Sequence, residues 1–195
     1  MKQSKLHTYS DEALMVLVMD QNAHAALEEL HRRYSKRLLG YFIKMLNKDV
    51  DLAQDFVQDL FLKIMEKKHL YDPNKKFYSW IFAIASNQCK TAYRHFGKTI
   101  ELHPEQHDQV KLDESAFEKK QFLADLQLTI DQLEHIHKEV FVLRFLEHFS
   151  LQEIAEITDV QVGTVKSRLF NATKKVAEQL KRYNPKHEGN LFKMN

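Results

Sequence analysis

Four glycines and three prolines have to punctuate all 195 residues of this chain. A strand-rich fold of that length needs many tight turns, and turns draw on these two residue types for left-handed or φ-locked positions. Their scarcity leaves long uninterrupted segments, and the apolar residues in those segments recur at helical steps. Leu27, Leu30, Tyr34, Leu38, Phe42 and Met45 fall on one stripe; Arg32, Arg33, Lys36 and Arg37 lie largely off it, giving that helix a basic flank. Ala53, Phe56, Val57, Leu60, Phe61 and Ile64 form a second stripe, with Asp55, Gln58, Asp59 and Lys63 outside it. The predicted fold class is all-α.

The few punctuation marks then divide the chain. Ser10 is a plausible N-cap ahead of Asp11 and Glu12, opening a short helix through Leu14, Leu17 and Val18. Asp49 to Asp51 can start the helix of the second stripe. Tyr71-Asp72-Pro73-Asn74 interrupts it with turn chemistry, since proline lacks the amide proton a helix needs. A further helix should run from about Phe77 to Phe96, with Trp80, Ile81 and Ile84 apolar and Gly97 as its stop. From Lys98 to Glu114 the chain is polar, contains Pro104 and keeps no period, which reads as a linker. A helix starting near Phe117 carries Leu123, Leu126, Ile130 and Leu133 as its stripe.

The last segment carries the sharpest local signal. Ser150-Leu151-Gln152-Glu153 fits a capping box, in which the serine and the glutamate each satisfy the other's backbone amide. After a brief helix through Ile154, Ala155 and Ile157, Thr158-Asp159-Val160 makes a short break. Another helix follows from about Val162, with Val165, Leu169, Ala172 and Val176 facing inward. Short helix, tight turn and basic helix form the helix-turn-helix pattern. The expected architecture is two small helical domains joined by a linker, the C-terminal one a helix-turn-helix.

The net charge of +2 hides an uneven distribution. Residues 1–96 carry 15 Lys and Arg against 11 Asp and Glu; residues 97–134 carry 4 against 9; residues 160–195 carry 8 against 2. Basic ends around an acidic middle suit a polyanion met at the ends, and equally a solvated tail. A single cysteine, Cys89, excludes an internal disulfide and a cysteine-rich zinc site. His103 and His107 sit four apart in the proline-containing linker without a thiol nearby, too incomplete a set for a metal. Residues 1–10 hold no apolar signal-peptide core, and no window approaches 18 uncharged apolar residues. A cytoplasmic protein without membrane insertion is expected. No glycine-rich phosphate loop, Ser-His-Asp arrangement or paired-carboxylate motif stands out, so neither an enzyme nor a cofactor is expected.

Two segments suit nucleic acid. The second helix of a helix-turn-helix reads base edges from its N-terminal turns, here Gln161, Gly163, Thr164, Lys166, Ser167 and Arg168. Arg168 can pair bidentately with guanine or with phosphate, and Asn171, Lys174, Lys175 and Lys181 follow at helical steps. In the first domain, Lys75-Lys76-Phe77-Tyr78-Ser79-Trp80 interleaves cations with rings, a combination that suits single strands. Phe77 and Trp80, three apart, are also what a buried core stripe requires, and Trp80 can be buried while the lysines remain exposed.

Four blocks together resemble a known family. Ala26 to Tyr34, Ala53 to Phe61, Phe77 to Asn87 with Arg94, and Phe149 to Ala155 with Gly163 to Leu169 are similar, in order, to segments of bacterial RNA polymerase sigma factors of the extracytoplasmic-function (ECF) group. The resemblance spans about residues 10–182. It implies sigma region 2 over 1–97, an acidic linker over 98–116, region 4 over 117–183 and a polar tail over 184–195. It implies that Asp55, Gln58, Asp59 and Phe61 meet core polymerase, and that the Asp72–Lys76 loop cradles a flipped base. Asn74, Lys75, Lys76, Tyr78, Asn87 and Arg94 would then serve promoter melting and the downstream element. Thr164, Lys166, Ser167, Arg168, Asn171 and Lys174 would serve the upstream one. Core RNA polymerase, promoter DNA and an anti-sigma factor are the implied partners. A helix-turn-helix regulator that works without polymerase is the alternative, and it offers no reason for the Asp55–Phe61 block. Thr91, Glu134, Asp159 and Gln161 depart from the family pattern, which has an acidic residue, a proline, a small turn residue and a serine cap at those places.

Overall fold

The computed structural model describes residues 3–21, 23–96 and 114–183. Gly97 as a helix stop, most of the linker with His103 and His107, and the tail lie outside the described residues. Those described hold eight α-helices and no strand. The N-terminal half is α1 (Asp11–Gln21), α2 (His24–Met45), α3 (Val50–Lys67) and α4 (Phe77–Phe96). The C-terminal half is α5 (Glu114–Asp131), α6 (His135–Phe141), α7 (Leu151–Thr158) and α8 (Val162–Gln179). Helix α5 starts three residues ahead of the expected Phe117.

Local chemistry sets each boundary. Ser10 Oγ accepts the Ala13 amide at 3.1 Å and Asp49 accepts the Leu52 amide at 2.9 Å, so both expected caps form. Between α2 and α3 the chain reverses through Asn47 and Lys48, both at positive φ. Asp72 Oδ1 accepts the Asn74 amide at 3.0 Å, the self-bonding turn that makes Asp-Pro-Asn a breaker. The first free amide of α4, on Phe77, donates to Glu12 Oε1 of α1 at 3.1 Å. A carboxylate there also suits the positive end of the α4 dipole.

The α2 and α3 stripes are the core of the N-terminal half: Leu30, Leu38, Phe42, Leu60 and Ile64 are all buried. Phe77 joins them at edge-on contact with Tyr34, 5.4 Å between centroids. Trp80 is half-buried against Tyr71 at 5.1 Å. Arg33 ties down the N-terminal turn rather than presenting a basic flank. It donates to the Tyr9 and His7 carbonyls at 3.0 Å each and pairs with Asp11 at 2.6 Å and Glu29 at 2.8 Å.

In the C-terminal half, Val165, Leu169, Ala172 and Val176 of α8 are buried as expected. The expected α5 stripe is buried only at its end, at Ile130 and Leu133, while Leu123 is exposed. Helix α6 has no counterpart in the sequence reading. Its N-cap, Glu134, holds φ −58°, inside the range that a proline ring imposes, so the glutamate standing where the family has proline costs the backbone nothing. Beyond α6 the chain widens into a π-helical turn over Val142–Leu146. The two halves pack face to face. Tyr78 and Phe82 of α4 lie against Phe149, with ring centroids 4.4 and 5.2 Å away.

Candidate nucleic-acid and polymerase-binding surfaces

The helix-turn-helix forms as the sequence chemistry dictates. Ser150 and Glu153 make the reciprocal capping box of α7, and Asp159 closes that helix in the left-handed conformation at φ 55°. Asparagine and aspartate tolerate that region better than other non-glycine residues. Helix α8 begins at Gln161, whose side chain makes no cap bond.

On α8 the exposed positions Gly163, Lys166, Ser167, Phe170, Asn171 and Lys174 recur at three- and four-residue steps and share one face. A Cβ built on Gly163 would meet nothing within 4 Å, so that face is open at its N-terminal end. Lys166, Ser167, Asn171 and Lys174 are thus brought together as expected, while Thr164 and Arg168 are half-buried at the edge of the face. Arg168 also lies close enough to His135 and Glu139 to influence both titrations. Sequence reasoning missed Phe170, 58% exposed on this face; its position four after Lys166 was the signal that could have found it.

The second surface lies at the start of α4. Asn74, Lys75 and Lys76 are exposed on the turn before the helix, and Asn87 and Arg94 are exposed further along it. Arg94 donates to Thr91 Oγ1 at 3.3 Å. Two members have partners in the other half of the chain. Lys76 Nζ donates to Glu153 Oε1 at 2.8 Å, and Tyr78 donates to the Glu147 carbonyl at 3.0 Å. The Lys76 ammonium pulls the Glu153 carboxyl down to about 2. Burial, with Glu147 adding to it, pushes the Tyr78 hydroxyl well up. Arg37, expected on the basic flank of α2, pairs with Glu147 Oε2 at 2.5 Å.

The third surface is the outer face of α3. Asp55, Gln58 and Asp59 are exposed there, four residues or fewer apart. Phe61 is not part of that face: it is 7% exposed and its ring packs on His31 at 4.7 Å. This corrects its expected place among the polymerase-facing residues, because a side chain on the apolar stripe is spent on the core. Cys89 is 1% exposed and burial pushes its thiol well up, so it is a packed residue and not a reactive thiolate. Among the described residues no His, Cys, Asp and Glu group could hold a metal, and no helix is long and apolar enough to cross a membrane.

Two family models match the chain in order along its length. The model for sigma-70 region 2 matches residues 30–99, and that for sigma-70 region 4 matches residues 123–176. The RNA polymerase sigma factor CarQ of Myxococcus xanthus is 27% identical over 163 residues, 81% of this chain and 91% of its own length. The ECF RNA polymerase sigma factor SigW of Bacillus subtilis is 27% identical over 174 residues, 83% of this chain and 91% of its own. This chain is a sigma factor of the ECF group. Among solved structures, CnrH in complex with the cytosolic domain of CnrY superposes with a TM-score of 0.66 at 23% identity, covering 88% of this chain and 97% of that one. RpoE in complex with the anti-sigma factor NepR from Bartonella quintana gives 0.57 at 23%, covering 79% and 96%. Both share the fold. In this sigma factor the region 2 match ends just past α4, and the region 4 match takes in α6, α7 and most of α8.

Proposed function

We propose that this sigma factor is the promoter-specificity subunit of a bacterial RNA polymerase, with recognition divided between its two halves and no catalysis of its own. Residues 1–97 act as region 2, 98–116 as the acidic linker and 117–183 as region 4, with 184–195 a polar tail. Asp55, Gln58 and Asp59 dock the chain on core polymerase through a carboxylate-rich face that no core contact requires. Asn74, Lys75, Lys76 and Tyr78 receive bases from the melting strand, where stacking and phosphate pairing offset the cost of unstacking. Asn87 and Arg94 follow the downstream element. The open face of α8 enters the major groove at the upstream element, with Lys166, Ser167, Asn171 and Lys174 central and Thr164 and Arg168 at its edge. The linker, with its excess of carboxylates, follows the path of the RNA. The work is done in the cytoplasm, and an anti-sigma factor restrains it; the solved RpoE of Bartonella quintana is itself in complex with an anti-sigma factor, NepR.

The observation that carries this reading is the co-existence, on one chain, of the open α8 face and the exposed carboxylate face of α3. A free-standing helix-turn-helix regulator needs the first and has no use for the second. Run-off transcription with core polymerase over a promoter library tests it. Enrichment of a bipartite motif that depends on added sigma factor is expected. Transcription indifferent to the added chain would overturn it.

A further inference from the structure

Helix α4 turns a single stripe toward the C-terminal half, and every residue of that stripe is engaged. Tyr78 stacks on Phe149 with an interplanar angle of 17°, and Phe82 meets the same ring. Ser86 Oγ donates to Glu139 at 2.6 Å, Lys90 Nζ donates to the Thr158 carbonyl at 2.7 Å, and the Tyr93 ring lies 4.6 Å from that of His135. The covering segment between Glu147 and Glu153 has a particular chemistry. It offers one flat ring to Tyr78, a carboxylate to Arg37 and a carboxylate to Lys76. A ring to stack on and anions to neutralise are what a single strand of nucleic acid would bring to the same residues.

The contact is also built with flaws that a permanent interface would lack. Tyr41 Oη, Glu139 Oε2 and His135 Nε2 are buried without a hydrogen-bond partner. Tyr41 packs on Phe82, Glu139 sits under Ser86 and His135 under Tyr93, so all three line the contact between the halves. Each unpaired buried polar group works against docking, and separation would return all of them to water. The docked arrangement is therefore poised to open.

We propose that the Glu147–Glu153 segment is an internal stand-in for single-stranded nucleic acid, closing the α4 face until polymerase or a DNA strand displaces it. The proposal rests on the reading of α4 as the melting surface given above. Opening exchanges Lys76–Glu153 and Arg37–Glu147 pairs for phosphate contacts, and Phe149 for a base on Tyr78. The free chain then binds single strands weakly, because the measured affinity is reduced by the fraction of molecules that are open.

The test uses the full chain, the double variant Glu147→Gln/Glu153→Gln and the single variant Ser86→Phe. Glutamine preserves the α7 capping box, and the phenylalanine is too large to sit under Glu139. The probe is a fluorescein-labelled random-sequence single-stranded DNA 15-mer, with hydrogen exchange of α7 reporting separation. Both variants should exchange faster in α7 and bind the probe about tenfold more tightly, the inverse of a roughly one-tenth open fraction. Adding Tyr78→Ala should abolish the gain. Faster exchange with unchanged probe affinity, or a gain that survives Tyr78→Ala, overturns the proposal, as does unchanged exchange in both variants. Run-off transcription by the unaltered chain is scored in parallel, so that failure of the stand-in and failure of the sigma assignment give different results.

Discussion

The two faces proposed to meet nucleic acid are made of similar residues and held in opposite conditions. On α8, Lys166, Asn171 and Lys174 are exposed along one helix face, and no hydrogen bond or ion pair ties them to a described residue of the N-terminal half. On α4 the equivalent cation and ring, Lys76 and Tyr78, already have a carboxylate and an aromatic ring from elsewhere in the chain. The contrast teaches that a binding face can be assembled and still unavailable. On the proposed reading, the α8 face needs only to meet duplex DNA, whereas the α4 face must first exchange partners.

The largest expected effect breaks the contact that brings both faces to a promoter. Charge reversal at Asp55 and Asp59 should weaken co-purification with core polymerase by about 100-fold or more, as loss of paired interface charges does. Duplex binding through α8, read by mobility shift, should be unchanged. Next come the aromatics. Phe149→Ala empties a site between Tyr78 and Phe82 and should cost about 3–5 kcal/mol in denaturant unfolding. Phe170→Ala, on the open face, should cost less than about 0.5 kcal/mol. Equal costs would erase the distinction between a covered and an open face.

Lys166→Ala should weaken duplex binding through loss of one phosphate or base contact, lowering the salt-dependence slope by about 1. Lys76→Ala should leave that slope untouched in the free chain, because its partner is already Glu153.

A pH titration sharpens the comparison from the covered side. Burial, then Lys138, Lys90 and Arg168, pull His135 down to about 4 from an ordinary 6.5. A solvated imidazole binds its proton before the buried one does, so docking weakens as pH falls from about 6.5 to about 4 and loses nothing more below that. Glu139, raised by burial, acts in the opposite sense and gains on acidification. His135→Phe keeps the ring on Tyr93 and removes the imidazole. Its acid limb should be flatter than the wild type's by up to about 3 kcal/mol in thermal unfolding. Gln161→Ser should supply the missing cap of α8 and add about 0.5–1 kcal/mol to stability.

What was legible in the sequence was what is local. The capping box at Ser150, the left-handed Asp159 and the α2, α3 and α8 stripes each depend on residues within a turn or two, and the structure holds them as read. Helix α6 escaped because its stripe is interrupted by Lys138 and Glu139, both buried. Their burial is tolerated only because Asn47 and Ser86, 91 and 53 residues away, bond to them. Arg37 reads as part of an exposed basic flank for the same reason, since its partner Glu147 lies 110 residues on. Periodicity cannot reveal a partner that only the docking of two halves supplies. The open recognition face could be read almost completely, and the covered one only as a list of its residues.

The central claim is that the free chain closes its own α4 face and that polymerase opens it. Single-molecule fluorescence transfer measures this directly, with dyes on Asp20→Cys of α1 and Glu178→Cys of α8, both exposed, in a Cys89→Ala background, all in the full chain. A high-transfer majority of about nine-tenths is predicted for the free sigma factor, shifting to low transfer on adding core polymerase. A free chain already at low transfer, or one whose transfer core polymerase leaves unchanged, would contradict the account.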